Sequence, residues 1–569
     1  MTYPIEFKNV SFSYTGSQSL ALSDINLTIA PGEIVLITGP AGSGKTTLCS
    51  CINGLIPHFH EGQLSGDVTI GPFNTRKARI GGLASLVGMV FQDPESQLVT
   101  NSVLDEVAFG PENLGIAREE INQRIQSALE ATRLTGYEER EPHNLSGGEQ
   151  QACVIAATHA MHPEIYVMDE PLANLDPAGR AYIFNLVVQV ARQRGKTLVI
   201  VEHALEETLP LVERIIIMDE GHIVRDGPTQ EVLAQGDIPH VFKRPDVMRL
   251  ANLYQLPEMP LTPGQFHQAL RKKYSLRSLS NKTYQNGHVH DGEAVIEFKN
   301  VSFSYTQEKE TLHDVNLNIK SGEMVAILGR NGSGKTTLVR HIIGLQQPSQ
   351  GSVHVIGKDV AVTPTHILAR DVGFCFQNPN HQIVSFTVKD EMTFGLKTHN
   401  VDPSEFDSRI REALEIVDLS DKIDWEVFDL GKGQKQRLAL ASVLTLKPKI
   451  LVIDEPTTGQ DPEMIDEIFA IIKRLNEMGT TILLITHRID YAALFTKRAV
   501  VLQYGRISYD GPIRKLLLDH ELMRSNSLDL PELTKLAVEL SDLGVPGWAV
   551  GYDEMKSYLD QIVEVQHGN

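Results

Sequence analysis

The sequence predicts an α/β protein in which one mostly parallel sheet, covered by helices, is built twice along the chain. Three observations predict it. Short continuous apolar runs, such as Ile34-Val35-Leu36-Ile37, Ile165-Tyr166-Val167-Met168 and Thr197-Leu198-Val199-Ile200-Val201, read as strands buried on both faces. They alternate with stretches of helical spacing, the pattern of a parallel sheet with helices on each side. The pattern then returns: Ile5-Glu6-Phe7-Lys8-Asn9-Val10-Ser11-Phe12-Ser13-Tyr14 reappears as Ile296-Glu297-Phe298-Lys299-Asn300-Val301-Ser302-Phe303-Ser304-Tyr305. Pro245, Leu250 and Ala251 reappear as Pro531, Leu536 and Ala537. This is a tandem duplication with a period of about 290 residues.

In order, residues 5–38 read as short β segments broken by Pro31-Gly32. A glycine-rich loop follows, then a helix over 48–56. Val87-Gly88-Met89-Val90-Phe91 is another strand, ending in Gln92-Asp93-Pro94. Residues 102–135 have helical spacing with many Glu and Arg, so they read as a helical insert on the surface. The strands 165–168 and 197–201 complete the unit, and the second half repeats the order. The boundaries drawn are a first domain over 1–240, a short tail and polar linker over 241–292, a second domain over 293–520 and a tail over 521–569. Within the linker, Arg271 to Gly292 carries Ser, Asn, Lys, Gly and His without apolar periodicity.

Composition narrows the classes. A chain of 569 residues exceeds a single core. Hydrophobic residues at 41% and charged ones at 22% suit a globular protein. With 52 Lys+Arg against 72 Asp+Glu the net charge is −20, which argues against a large nucleic-acid footprint. Cys49, Cys51, Cys153 and Cys375 form no C-x-x-C pair, so neither a disulfide framework nor a zinc site is expected. Met1-Thr2-Tyr3-Pro4 lacks the build of a signal peptide, and no apolar run approaches the ~18–20 residues that span a bilayer. The expectation is a cytosolic chain that, if it works at a membrane, docks on something else.

The chemistry sits in two glycine-rich loops between strand and helix. They are Gly39-Pro40-Ala41-Gly42-Ser43-Gly44-Lys45-Thr46-Thr47 and Gly329-Arg330-Asn331-Gly332-Ser333-Gly334-Lys335-Thr336-Thr337. Glycines let backbone N–H groups approach phosphate oxygens, lysine reaches the β- and γ-phosphates, and the first threonine hydroxyl can hold Mg2+. Asp169-Glu170 and Asp454-Glu455 end apolar strands in the two halves. A carboxylate at a strand's C-terminal edge beside such a loop is placed to hold Mg2+, and its neighbour to orient the attacking water.

These residues occur in the order of the ATP-binding cassette ATPases, and the chain resembles that family over nearly all of both halves. Leu145-Ser146-Gly147-Gly148-Glu149-Gln150-Gln151 is similar to its signature motif. Gln92 and Gln377 match the Q-loop glutamine, Ala173-Asn174-Leu175-Asp176 and Thr458-Gly459-Gln460-Asp461 the D-loop, His203 and His487 the switch histidine, and Tyr14 and Tyr305 the aromatic that stacks on adenine. The resemblance implies two ATPase domains, each with a small antiparallel β subdomain and a helical subdomain carrying the signature. It implies ATP and Mg2+ as cofactors, with Thr46, Asp169 and Gln92, and Thr336, Asp454 and Gln377, toward the metal. It implies Glu170, Glu455, His203, His487, Gln92 and Gln377 as the catalytic set. The halves would pair head to tail as an intramolecular pseudo-heterodimer, each pocket completed by the other half's signature.

The second signature departs from the family: in Leu430-Gly431-Lys432-Gly433-Gln434-Lys435-Gln436-Arg437, Gly431 replaces serine and Lys432 replaces glycine. Paired head to tail, this sequence would face Lys45, Asp169 and Glu170, so two unequal sites are expected. Ala152 stands where the second half has Arg437. The stretch from Gln92-Asp93-Pro94-Glu95 through Val103-Leu104-Asp105-Glu106 to Leu114-Gly115 resembles the ATPases of energy-coupling-factor importers of the cobalt and vitamin type. That resemblance implies a transmembrane scaffold subunit, a separate substrate-binding membrane subunit, a place on the cytoplasmic face of the cell membrane, and a vitamin, vitamin precursor or transition-metal ion as cargo. Asp93, Glu95, Asp105 and Glu106 would then meet basic residues of the scaffold's helices. The alternative is a soluble tandem cassette protein acting on the ribosome or nucleic acid, against which the acidity and the lack of a cysteine cluster or coiled-coil insert argue.

Overall fold

The structure is a computed structural model. It describes residues 3–17, 19–172, 175, 177–193, 195–203, 205–234, 242–280, 292–306, 309–457, 460 and 462–564. The chain divides into two compact units, Met1–Tyr274 and Ser275–Asn569.

Among its described residues the first unit carries ten strands: β1 (Ile5–Tyr14), β2 (Leu22–Ile29), β3 (Ile34–Thr38), β4 (Gly62–Ile70), β5 (Phe73–Asn74), β6 (Val87–Val90), β7 (Ile165–Asp169), β8 (Thr197–Val201), β9 (Arg214–Asp219) and β10 (His222–Pro228). Strands β2-β1-β4-β5 form an antiparallel sheet. Strands β10-β9-β3-β8-β7-β6 form the main sheet, parallel except for the edge strand β10. Alternation along each central strand explains the continuous apolar runs. Ile34 and Leu36 enter one core with Tyr166, Met168, Leu198 and Ile200. Val35 and Ile37 enter the opposite core with Ile165, Val167, Val199 and Val201. A strand wetted on neither face has no position to give to a polar side chain.

The apolar face of the antiparallel sheet, from Phe7, Phe12, Ile25 and Val68, closes over the second of these cores. Helices Val103–Asn113, Arg118–Ala131 and Gly147–Ala160 pack into the first. Within 102–135 the insert is therefore two helices, ended and restarted around Gly115 (φ 69°).

The second unit repeats this order. Its main sheet sets Val372–Cys375, Ile450–Asp454, Thr481–Ile485, Met324–Leu328 and Arg498–Gln503 side by side in parallel, with antiparallel Arg506–Pro512 at the edge. Its antiparallel sheet holds Ala294–Thr306 between Lys309–Lys320 and Gln350–Val355. Both units end in short helices after a proline, Pro245 before Asp246–Leu253 and Pro531 before Glu532–Glu539.

The stretch 271–292 is not linker from its first residue. Residues 271–273 finish helix Pro263–Lys273. Ser275–Leu276 pairs antiparallel with Val563–Glu564, the Arg277 N–H donates to the Ile562 carbonyl, and the Leu279 N–H to the Leu543 carbonyl. Backbone groups pair whatever the side chains, so polar composition hid this edge. Residues 281–291 lie outside the described residues. Among the described residues no helix is long and apolar enough to cross a membrane.

Candidate nucleotide and catalytic sites

Each glycine-rich loop leaves the end of a central strand. Gly39 follows β3 with φ 145°, and a Cβ there would lie 2.0 Å from the Met218 carbonyl oxygen. Gly329 repeats this with φ 140° and 2.3 Å to the Leu502 oxygen. Gly44 (φ 97°) and Gly334 (φ 102°) are left-handed caps of helices Lys45–Ile52 and Lys335–Ile342, so the unpaired N–H groups at each helix start face the loop. The helix begins at the lysine, three residues before the start expected from the apolar pattern, because the cap glycine sets its first turn. The Lys45 ammonium donates to the Gly39 (2.9 Å) and Pro40 (2.7 Å) carbonyls, and the Lys335 ammonium to the Gly329 (2.7 Å) and Arg330 (3.1 Å) carbonyls. Each buried lysine is thus folded over its own loop, where a phosphate would compete for it.

The last residue of β7 and of its counterpart strand brings a buried aspartate beside the loop. The exposed Thr46 hydroxyl bonds to Asp169, and Thr336 Oγ1 donates to Asp454 Oδ2 at 3.3 Å. Burial above all pushes the Asp169 carboxyl up to about 6, opposed by the Thr46 bond and the Lys45 charge, while Glu170 adds to the push. Burial raises Asp454 as well, against Lys335 and Thr336. Asp169 Oδ1 is buried with no hydrogen-bond partner among the described residues. An orphaned carboxylate oxygen beside a threonine hydroxyl fits a hard divalent cation. Among the described residues no group of three or more His, Cys, Asp or Glu is arranged to hold a metal alone. This suits Mg2+, which protein sites hold through one or two carboxylates together with substrate phosphates.

Glu170 and Glu455 come next, with φ of 49° and 47°. A left-handed non-glycine residue costs about 1–3 kcal/mol, so the surroundings must hold it there. The neighbouring strand does so: the Glu170 N–H donates to the Val201 carbonyl (3.0 Å) and the Glu455 N–H to the Ile485 carbonyl (2.9 Å). The side chains are wired differently. Glu170 Oε1 lies 3.2 Å from His203 Nε2, and Gln92 Nε2 donates to Glu170 Oε2 at 2.7 Å. Glu455 Oε1 lies 3.1 Å from His487 Nε2, and the His487 backbone N–H donates to Glu455 Oε2 at 3.2 Å. His487 Nε2 also lies 2.9 Å from Asn331 Oδ1 on the loop, where the first half has Ala41. Gln377 is exposed.

The signature stretches start helices. Ser146 caps Gly147–Ala160; its N–H (2.9 Å) and Oγ (2.7 Å) both donate to Glu149 Oε2, and the Tyr137 hydroxyl donates to Glu149 Oε1. Gly147 and Gly148 are half-buried. In the second unit the Gly431 N–H donates to Gln434 Oε1 (3.1 Å), Lys432 opens the helix exposed, and a Cβ on Gly433 would lie 2.3 Å from Met464 Sδ. The Tyr14 hydroxyl lies 3.1 Å from Thr47 Oγ1 and the Tyr305 hydroxyl 3.3 Å from Thr337 Oγ1. Ser43 and Ser333 are buried, Gly42 (φ 79°) and Gly332 (φ 74°) face open space. In the D-loops, Leu175 and Gln460 are buried. Ala173, Asn174, Asp176, Thr458, Gly459 and Asp461 lie outside the described residues.

The family model described as ABC transporter matches residues 22–173 and 312–458. A relative in Caldanaerobacter subterraneus subsp. tengcongensis, provisionally named an ABC transporter ATP-binding protein, is 37% identical over 94% of this chain and 95% of its own. One of the same provisional name in Methanosarcina mazei is 36% identical over 98% and 97%. The chain belongs to the ABC transporter family. It is an ATP-binding, ATP-hydrolysing cassette protein with two ATPase domains. A solved structure of cbiO1 from Clostridium perfringens, described as part of the ABC transporter complex cbiONQ, is 30% identical, covers 44% of this chain and 97% of its own, and has a TM-score of 0.39.

One residue of this ABC protein stands differently from its sequence-based reading, and another had no reading at all. Glu106, expected on the surface toward a partner, is 5% exposed. Its Oε2 accepts from the Val99 N–H (3.0 Å), the Thr100 N–H (2.9 Å) and the Thr100 hydroxyl (2.9 Å). Glu391 does the same for Val384 and Ser385. The helix that carries Glu106 turns it back to tie down the loop after Gln92, so it is spent on its own backbone. The other is Glu202, which sequence reasoning passed over. It is buried, and its Oε1 accepts the Leu172 N–H (2.9 Å) and its Oε2 the His203 N–H (3.2 Å). The one signal for it was its position next to His203, where the second half has Thr486.

Two outcomes follow. Gly39→Ala or Gly329→Ala meets a backbone carbonyl that no rotamer relieves, so each costs about 3 kcal/mol and removes nucleotide from its own site; thermal unfolding and a fluorescent ATP analogue measure both. Glu106→Ala takes the acceptor from the part-buried Val99 and Thr100 N–H groups, while the Thr100 hydroxyl keeps the Ser102 carbonyl; the expected loss is on the order of 2 kcal/mol in denaturant unfolding, against well under 1 kcal/mol for exposed Glu95→Ala.

Proposed function

We propose that this ATPase drives import of a small solute through a separate membrane complex of the energy-coupling-factor kind, from one efficient and one slow ATP site. The arrangement that carries the catalytic reading is the strained glutamate at a strand end, held against a histidine and next to the buried aspartate, in both halves. Glu455 orients and deprotonates the attacking water, His487 steadies it and the γ-phosphate, and Lys335 with the loop N–H groups binds the phosphates. Glu170, His203 and Lys45 take the same parts in the first half. Thr46 with Asp169 and Gln92, and Thr336 with Asp454 and Gln377, are the residues toward Mg2+. A bound cation would supply charge neutralisation for the phosphates there. Tyr14 and Tyr305 stack on adenine.

The halves close head to tail, so that Ser146, Gly147 and Gly148 complete the pocket of Lys335 and Glu455. Gly431 and Lys432 complete that of Lys45 and Glu170. Without a serine hydroxyl, and with a lysine side chain where backbone approaches nucleotide, the Glu170 site turns over slowly. Glu455→Gln therefore lowers steady-state ATPase about 100-fold and Glu170→Gln less than ~3-fold. Equal losses from the two would remove the unequal-site reading.

The importer reading rests on the resemblance of residues 92–115, supported by an apolar surface in that segment, in its second-half counterpart and, through Phe428, just before the second signature. Val99 and Phe109 in the first unit, and Val384, Phe386, Phe394 and Phe428 in the second, are exposed, Phe386 to 75% and Phe428 to 73%. Exposed side chains of that size next to one another mark a docking surface. Phe386 and Phe428 stand 6.4 Å apart between ring centroids. They receive helices of a transmembrane scaffold, whose partner subunit binds a vitamin, a vitamin precursor or a transition-metal ion on the other side. The chain works on the cytoplasmic face of the cell membrane. Affinity purification from detergent-solubilised cells recovers an integral membrane protein with it, and Phe386→Asp with Phe428→Asp releases that protein while leaving ATP binding intact. Recovery of ribosomes or nucleic acid in its place would overturn the reading.

A further inference from the structure

Position by position, the two catalytic corners differ in who holds the backbone N–H of the switch histidine. In the second half it is the catalytic glutamate itself: Glu455 Oε2 accepts the His487 N–H at 3.2 Å while Oε1 touches His487 Nε2. That nitrogen also reaches Asn331 Oδ1 of the phosphate loop at 2.9 Å. Glutamate, histidine and loop form one continuous chain. The residue before His487 is Thr486, fully buried, whose Oγ1 accepts the Arg488 N–H.

In the first half Glu202 stands in place of Thr486. Its longer side chain turns back under the strand ends and takes the His203 N–H at 3.2 Å with one oxygen and the Leu172 N–H at 2.9 Å with the other. The Glu170 oxygen that would have taken that N–H is instead bonded by the Gln92 amide at 2.7 Å. Ala41 offers no side-chain acceptor where Asn331 stands. With one oxygen against His203 and the other held by the Gln92 amide, the Glu170 side chain is tied to the end of a neighbouring strand rather than aimed at a nucleophile.

We infer that Glu202 is a positioning residue: by capturing the His203 N–H it hands Glu170 to Gln92 and keeps the first site in a low-turnover arrangement. The inference deepens the unequal-site reading and rests on it, but it places part of the inequality inside the first half, apart from the Gly431-Lys432 signature. Burial pushes the Glu202 carboxyl up to about 8, the mark of a side chain kept as a hydrogen-bonding group in an enclosed place rather than as a surface charge. Oxygen atoms that each close a loop N–H make it a cross-link between the segment after Glu170 and the switch histidine.

The test uses the full chain with Glu455→Gln, which leaves turnover to the first site. Adding Glu202→Thr, the residue of the other half, raises kcat about threefold or more and moves KM for ATP by less than ~2-fold. Glu202→Gln, whose single amide oxygen keeps one of the two N–H bonds, falls between. A kcat for Glu202→Thr equal to or below that of the Glu455→Gln parent overturns the inference. If Glu202→Thr lowers the melting temperature by more than about 5 °C, the reciprocal Thr486→Glu on a Glu170→Gln chain decides: a fall in kcat of about threefold at unchanged melting temperature supports the inference, and an unchanged kcat overturns it. Failure of the underlying reading looks different, because Glu170→Gln and Glu455→Gln would then cost equally with position 202 untouched.

Discussion

Both faces of each main sheet are buried, and that constraint places everything else. Along β3, β7 and β8 alternate residues enter opposite apolar cores, so a polar side chain anywhere in these strands would be stranded without water. Reactive groups can stand only where the strands stop. The C-terminal edge of the first sheet accordingly collects Gly39 after β3, Gln92 just beyond β6, Asp169 and Glu170 at the end of β7, and Glu202 and His203 after β8. Parallel strands bring all these ends to one side, which is why residues far apart in the chain form one corner. The same ladder holds the strained glutamates, since each left-handed backbone is pinned to the next strand's carbonyl.

Much of this was legible in the sequence because the signals are backbone signals. Gly39 and Gly44 cannot be other residues when a carbonyl stands 2.0 Å or 2.4 Å from a Cβ, so glycine spacing announced the loops. The strand ends were equally plain, since a run such as Ile450-Leu451-Val452-Ile453 is buried on both faces and the two carboxylates after it mark where the chain leaves the core. Hydrogen-bonding side chains were harder. Glu106 and Glu95 look alike as acidic letters, yet Glu106 is buried by its place on the helix Val103–Asn113 and ties three donors, while Glu95 is exposed. Only the turn of the helix distinguishes them. Ser275–Leu276 failed for a related reason, its pairing being made by backbone that no composition records.

Comparing the halves separates positions with no substitute from those with one. Lysine, threonine, aspartate, glutamate and histidine stand at the same places in both corners, each filling a role that depends on its charge or its reach. The positions that differ are acceptors and caps: Ala41 against Asn331, Ser146 against Gly431, Glu202 against Thr486. A hydrogen bond can be taken over by a neighbour at a net cost of about 1 kcal/mol, so such positions can vary without loss of fold. Arg437, which reaches the Val417 carbonyl and lies 3.4 Å from Glu467 where the first half has buried Ala152, belongs with them.

A difference of that size is small against folding but large against rate. About 1.4 kcal/mol of lost transition-state stabilisation is tenfold in turnover, and Glu170 and Glu455 each spend one oxygen on a different partner, Gln92 in one corner and the His487 N–H in the other. Two corners built on the same backbone can therefore differ in speed by orders of magnitude while their strands, loops and lysines superimpose in kind. On the proposal of unequal sites, the slower corner need not be a failed one. A site that binds nucleotide through an intact Gly39-to-Thr47 loop but releases the phosphate bond reluctantly stays occupied while the other turns over. Under that proposal a nucleotide held in one corner outlasts each turnover in the other, so slow chemistry there is compatible with a role in the cycle.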